Sequence, residues 1–335
     1  MVQLLKNKGF IGFFTFFIFS ILLFLLSYYF LNAETIVSKK DGILYRFLQQ
    51  NVLLENKTNH YNDYIFYVLH VGIAILINVF VMQKNLLYKD SWLPATFYLI
   101  IISYFKFQFT LSSAEILIIG LLLLSINYQR IEKFSTNFTT YLDGGIITGF
   151  IYLIDTNVLY YIPFIWISYI LLGNFGFKKW MVWILGFLIP IYFTLGIAYA
   201  FSDISMKEIF NSNYSLYIDG LMSFQYNYIQ ILAIALFLFS FFVSISQMRA
   251  NYYKNTIEIR KSQQHLTVLL LAGLVVVLFN FKSLQTNFIY AIFPISIFNS
   301  YYYLKSKKPI YKEIVFLLLL IMLILSYFAD SFKTL

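Results

Sequence analysis

Charged side chains are scarce in this chain, and a few stand where an apolar sequence should not carry them. Asp41, Arg46, Lys106, Glu115 and Asp155 lie beside or within long apolar stretches, as do Asp143, Asp330 and the titratable His70. A charge in or next to a membrane segment is costly and marks a functional-site hypothesis by default. The chemistry open to them is narrow. A carboxylate serves as a general base or a metal ligand, and a lysine or arginine meets a phosphate or a lipid headgroup.

Asp41 opens the most informative polar stretch, within an outer loop at 32–63. From Ile43 onward, Ile43, Leu44, Phe47, Leu48 and Leu54 recur at helical spacing. That spacing predicts an amphipathic helix lying on the outer membrane surface, with Arg46, Gln49 and Gln50 on its wet side. Asp41 then either caps this helix or presents a catalytic or metal-binding carboxylate at the surface. Lys106 and Glu115 flank a tight turn containing Ser112 and Ser113, where they either pair with each other or leave Lys106 for a phosphate. Asp155, in Asp155-Thr156-Asn157, has the composition of an outer turn. Asp143-Gly144-Gly145 reads as a helix start, and Gly145 with Gly149 gives a small-xxx-small spacing that lets helices approach closely.

The elements that must position these groups are membrane helices. Of 335 residues, 60% are hydrophobic and 12% charged, against about 25% charged in globular domains. Continuous apolar runs such as Ile231–Ile245 and Ile314–Tyr327 exclude a barrel, which alternates with period two. The expected fold is all-α, a single polytopic membrane domain over 1–335 with about eleven spans. These fall near 10–31, 64–83, 92–105, 112–127, 142–155, 157–173, 179–201, 223–246, 265–281, 285–303 and 310–329. With the N-terminus inside, sixteen of the 24 basic residues fall on inner segments. The remaining eight lie outside, four of them (Lys39, Lys40, Arg46, Lys57) in the first outer loop. That bias predicts an N-in, C-out orientation in a cell inner membrane. The first span reads as an uncleaved signal anchor. The Arg260-Lys261 pair reads as an inner anchor before the ninth span, and Trp180, Trp183 and Tyr301-Tyr302-Tyr303 as interfacial belts.

Several functions are excluded or left without a signal. The chain has no Cys and three His, which removes disulfides, thiol catalysis and Fe–S clusters and argues against a His-built metal site. There is no phosphate-binding G-x-x-x-x-G-K-[ST] loop and no H-E-x-x-H. The net charge of +9 follows from basic residues on inner segments, so nucleic-acid binding is not indicated. No cofactor is indicated either. The partners to expect are the lipid bilayer and, by the resemblance below, a polyprenyl-phosphate lipid.

The order Leu111-Ser112-Ser113-Ala114-Glu115, Leu121–Arg130, Leu142-Asp143-Gly144-Gly145, Leu159–Pro163, Lys178-Lys179-Trp180 and Ile292-Phe293-Pro294-Ile295 resembles a Bacteroidota family of multi-pass membrane proteins of unknown function. The resemblance runs from about residue 90 onward. Some members carry the label carotene oxygenase, a chemistry that uses four His on iron and does not fit three. The layout is also similar, more distantly, to the GT-C superfamily of polyprenyl-phosphate-sugar glycosyltransferases. Asp41-Gly42-Ile43-Leu44-Tyr45-Arg46-Phe47-Leu48 resembles their acidic residue followed by a surface helix. The resemblance implies that Asp41 is the base activating an acceptor, and that Lys106 meets the lipid phosphate. Arg46, Glu115 and Asp155 are then the further substrate-binding candidates. The chain departs from the pattern in having Gly42 rather than an acid after Asp41, and Asp155 where many relatives have Lys. Two other functions fit the same composition: a non-catalytic envelope scaffold subunit, and a transporter or flippase of lipid-linked cargo.

Overall fold

The computed structural model describes residues 2–30, 42, 44, 60–87, 89–105, 113–133, 137–173, 176–201, 228–279, 288–305 and 309–331. The described residues are helical throughout, with no strand. In chain order the helices are α1 (Val2–Leu5), α2 (Phe10–Phe30), α3 (His60–Gln83), α4 (Leu93–Tyr104), α5 (Ser113–Lys133), α6 (Phe138–Ile154), α7 (Ile162–Leu171), α8 (Phe177–Phe201), α9 (Tyr228–Ala250), α10 (Ile257–Phe279), α11 (Ile289–Lys305) and α12 (Pro309–Ser331). A 3₁₀ turn, Thr156–Tyr160, links α6 to α7.

Six of these helices, α2, α3, α5, α8, α10 and α12, are long and apolar enough to cross a membrane. The chain is a multi-pass helical membrane protein on that ground. Its surface agrees: Phe10, Phe14, Phe17 and Leu22 on α2 and Leu185, Leu188, Tyr192 and Phe193 on α8 all face outward, an apolar exposure far beyond what water tolerates.

The short helices are short for a reason. α4 has 12 residues, about 18 Å at 1.5 Å per residue, well under the ~30 Å of hydrocarbon. Leu93 through Ser103 are all buried, so α4 is apolar on every side because protein surrounds it. α2, α3 and α11 pack on it, α9 joins α11 and α12, and α10 packs on α11 and α7. At one flank α6 and α8 form the most extensive helix pair. Glycine makes that pair possible. A Cβ on Gly145 would stand 2.1 Å from the Trp183 carbonyl oxygen, and one on Gly186 would stand 2.4 Å from that of Leu142. The small-xxx-small spacing of Gly145 and Gly149 therefore marks a real close approach.

The apolar runs understate several helices. α5 runs on to Lys133, α6 starts at Phe138 rather than near 142, and α10 starts at Ile257 rather than 265. Asp143 thus sits in the second turn of α6, and Arg260 and Lys261 lie inside α10. A helix keeps its hydrogen bonds through polar turns such as Asn127–Arg130, so hydropathy marks only its apolar middle. The belt residues are also placed differently. Trp183 is 1% exposed, and Tyr301 and Tyr303 are buried, because they fill helix–helix contacts instead of the membrane interface.

Candidate functional site

The site grows from the end of α6. Asp155 leaves the helix in an extended conformation (φ −138°, ψ 115°) while its N–H still donates to Ile151 O at 2.7 Å. Its side chain turns back over the next residues. Oδ1 accepts the Asn157 N–H at 2.8 Å, which caps the 3₁₀ turn. Oδ2 accepts Ser113 Oγ at 3.2 Å and Tyr290 OH at 2.6 Å. Asn157 Nδ2 donates to the same Tyr290 hydroxyl at 2.7 Å, and Tyr161 OH donates to the Tyr290 carbonyl at 2.7 Å. One buried carboxylate therefore ties together the start of α5, the end of α6, the 3₁₀ turn and the start of α11.

Glu115 sits in the first turn of α5, two residues after Ser113, and is fully buried. A carboxylate there gains from the unpaired N–H groups of the helix start. It lies within electrostatic reach of Tyr98, whose hydroxyl is 3.3 Å from His70 Nδ1. Glu115 and Asp155 thus flank Ser113 at the same end of the bundle.

The chain next to Asp41 reaches this place too. Gly42 N–H donates to Ile154 O at 2.7 Å. A Cβ on Gly42 would stand 2.2 Å from Leu153 O, so the backbone packs here only because residue 42 is glycine. Asp41, Arg46 and Lys106, with the expected surface helix, lie outside the described residues. Among the described residues, no group of three or more His, Cys, Asp or Glu is placed to hold a metal ion.

Sequence reasoning passed over Tyr290, Asn157 and the Tyr98–His70 contact, since each is an ordinary residue until the fold brings it to a carboxylate. It also missed a second polar cluster, toward the other end of the same helices. Ser125 Oγ donates to Leu121 O at 2.8 Å and lies 3.2 Å from His265 Nε2. With its proton spent on Leu121, Ser125 accepts from Nε2–H, which leaves His265 Nδ1 a bare acceptor. The His265 ring stacks on Tyr128 at 4.1 Å, and Asn127 Nδ2 donates to Thr140 O at 3.0 Å. Asn127 Oδ1, Gln129 Oε1, Ser168 Oγ and His265 Nδ1 are buried with no hydrogen-bond partner among the described residues. The legible signal was the run Ser125-Ile126-Asn127-Tyr128-Gln129 closing an otherwise apolar segment.

Comparisons of the chain with protein-family models, with curated proteins and with solved structures find no significant match.

Proposed function

We propose that the chain is an inner-membrane enzyme of GT-C type, transferring a sugar from a polyprenyl-phosphate donor at the outer face. The observation that carries this reading is the Gly42–Ile154 hydrogen bond. It lays Gly42, the residue that follows Asp41 in sequence, against the turn bearing Asp155, beside the helix start bearing Ser113 and Glu115. In this reading Asp41 is the base that takes a proton from the acceptor hydroxyl. Lys106 and Arg46 meet the donor phosphate. Glu115 is a donor-binding candidate, and Asp155, with its oxygens engaged by Ser113, Tyr290 and Asn157, is a positioning residue that holds the turn against which Gly42 packs.

The reading requires eleven crossings with the N-terminus inside. Each of the eleven apolar segments coincides with one helix, α2 to α12. The described contacts also sort by side. Lys8 pairs with Asp90, Asn127 with Thr140, Gln129 with Ser262 and Lys312 with Tyr303, all at ends assigned inside. Ser113 with Asp155, and Asn157 with Tyr290, join ends assigned outside. An error of one crossing in the middle of the chain would mix the two sets.

The test is Asp41→Asn in purified protein supplied with polyprenyl-phosphate-sugar donors and a hydroxyl acceptor. Losing a general base lowers turnover by about 10²–10⁴-fold, while the melting temperature stays within a degree or two. Full activity in the variant removes Asp41 from the mechanism, and no transfer by the wild-type protein with any donor ends the enzyme reading.

The polar cluster around His265 favours a second reading, transport of lipid-linked or amphipathic cargo. A titratable group inside a membrane bundle marks a pathway hypothesis by default, and buried polar atoms left unpaired beside it call for a ligand or water to satisfy them. Flux of such cargo across reconstituted vesicles, lost in His265→Ala and Asn127→Leu and intact in Asp41→Asn, would select it.

A further inference from the structure

The opposite end of the bundle carries a cationic cluster that the proposed reaction leaves unused. Residues 2–6 fold back under the helices. The Val2 and Gln3 N–H groups donate to the Glu313 carboxylate at 3.1 and 3.0 Å, and Trp92 N–H donates to Leu5 O at 2.9 Å. Val2 and Leu5 are buried there. Lys6 follows directly, and Lys312 precedes Glu313 in the first turn of α12. These anchors bring the two ammonium groups within electrostatic reach of each other.

Among the described residues, no carboxylate balances their charges. Lys312 is 2% exposed, and its ammonium donates to Tyr303 O at 2.6 Å, which uses one of its three donors. The adjacent Glu313 is taken up by the backbone of residues 2 and 3. Among the described residues neither lysine has a carboxylate within ion-pairing distance; Asp90 pairs with Lys8 instead. Two ammonium groups side by side repel, and burying one without a counter-charge is expensive. Ser91, in the segment bonded to Leu5, is 1% exposed and its hydroxyl has no partner among the described residues. The sequence adds Lys305, Lys307 and Lys308 just before α12.

We propose that Lys6 and Lys312 together bind a phosphate group at this end of the bundle. A phosphate offers several anionic oxygens, so it bridges and neutralises two ammonium groups where a neutral carbonyl does not, and lysine meets it as a point charge. Its source is either an anionic phospholipid headgroup, abundant beside a membrane-protein end, or free phosphate.

The experiment uses the full chain in nanodiscs of phosphatidylglycerol or of phosphatidylcholine. Retained lipid is counted by native mass spectrometry, and inorganic phosphate binding is followed by ³¹P NMR. The wild-type protein is compared with Lys6→Gln, Lys312→Gln and the exposed control Lys254→Gln. Loss of one charge-assisted contact predicts about tenfold weaker binding in Lys6→Gln and Lys312→Gln, with the control unchanged. Retention of phosphatidylglycerol alone assigns the site to a headgroup, and saturable inorganic phosphate binding assigns it to free phosphate. Either result, with that dependence on both lysines, supports the proposal. Equal lipid retention and phosphate binding in all four proteins overturns it. If Lys312→Gln does not fold, half-buried Lys6→Gln carries the same expectation alone.

Discussion

Asp155 shows how one side chain can decide a local structure without touching a substrate. Its composition as a turn residue was plain from Asp155-Thr156-Asn157, and it does cap that turn. The distant half of its role was hidden, because Ser113 and Tyr290 lie 42 and 135 residues away in sequence and nothing in their own neighbourhoods announces a carboxylate partner. Removing the carboxylate strands three buried donors at once: the Ser113 and Tyr290 hydroxyls and the Asn157 N–H. Each such group costs about 1–3 kcal/mol when left unpaired. Asp155→Ala should therefore destabilise the fold by about 3 kcal/mol or more, measured by reversible denaturation in detergent. Asp155→Asn should cost less, since its amide oxygen can still cap Asn157 while the Ser113 and Tyr290 hydroxyls rotate to accept from its NH₂. Tyr290→Phe removes one donor to Asp155 and the acceptor of the Asn157 amide, for about 1–3 kcal/mol. An unchanged unfolding midpoint in Tyr290→Phe would show that this hydroxyl does not hold the turn.

Helices were the most legible level, and their ends the least. Every apolar run became a helix because hydrocarbon admits no unpaired backbone. The polar turns at Asn127–Lys133 and Ile257–Gln264 read as loop because hydropathy reports surroundings, not hydrogen bonding. For the same reason the His265 cluster is faint in the sequence: uncharged Ser, Asn and Gln barely alter an apolar average, and only the run Ser125–Gln129 marks it. The α6–α8 pair tests packing at this scale. Alanine in place of glycine ordinarily stabilises a helix by roughly 0.5–1 kcal/mol. At Gly145 the sign should reverse, because the added methyl would stand 2.1 Å from Trp183 O and 3.0 Å from the Cα of Gly186. Both obstacles are backbone, so α8 must move as a body, at a cost of about 1–3 kcal/mol. Gly196 lies on the same α8 with nothing within 4 Å of its would-be Cβ. Gly196→Ala should be neutral or slightly stabilising, and equal melting temperatures for the two variants would mean that the helices do not meet through these glycines.

At the scale of the whole molecule, sidedness governs everything proposed for the site, since the proposed transfer needs Asp41 on the face where the lipid-linked donor is presented. The basic bias along the sequence and the sorting of the hydrogen bonds are independent arguments for one arrangement. The first reflects insertion, the second packing, and an odd number of crossings satisfies both. The absence of cysteine makes the arrangement directly testable, because any thiol introduced is the only one in the chain. Tyr253, between α9 and α10, is 84% exposed and is assigned inside. Lys333, after α12, is assigned outside. A membrane-impermeant thiol reagent added to sealed cells should label Lys333→Cys and leave Tyr253→Cys untouched until the membrane is opened. Labelling of both from outside would require an even number of crossings between them, in place of the three that the proposed topology assigns to α10, α11 and α12. The inner lysine site and the outer acidic site would then share one face, and a catalytic site opposite a phosphate-binding end would no longer describe this bundle.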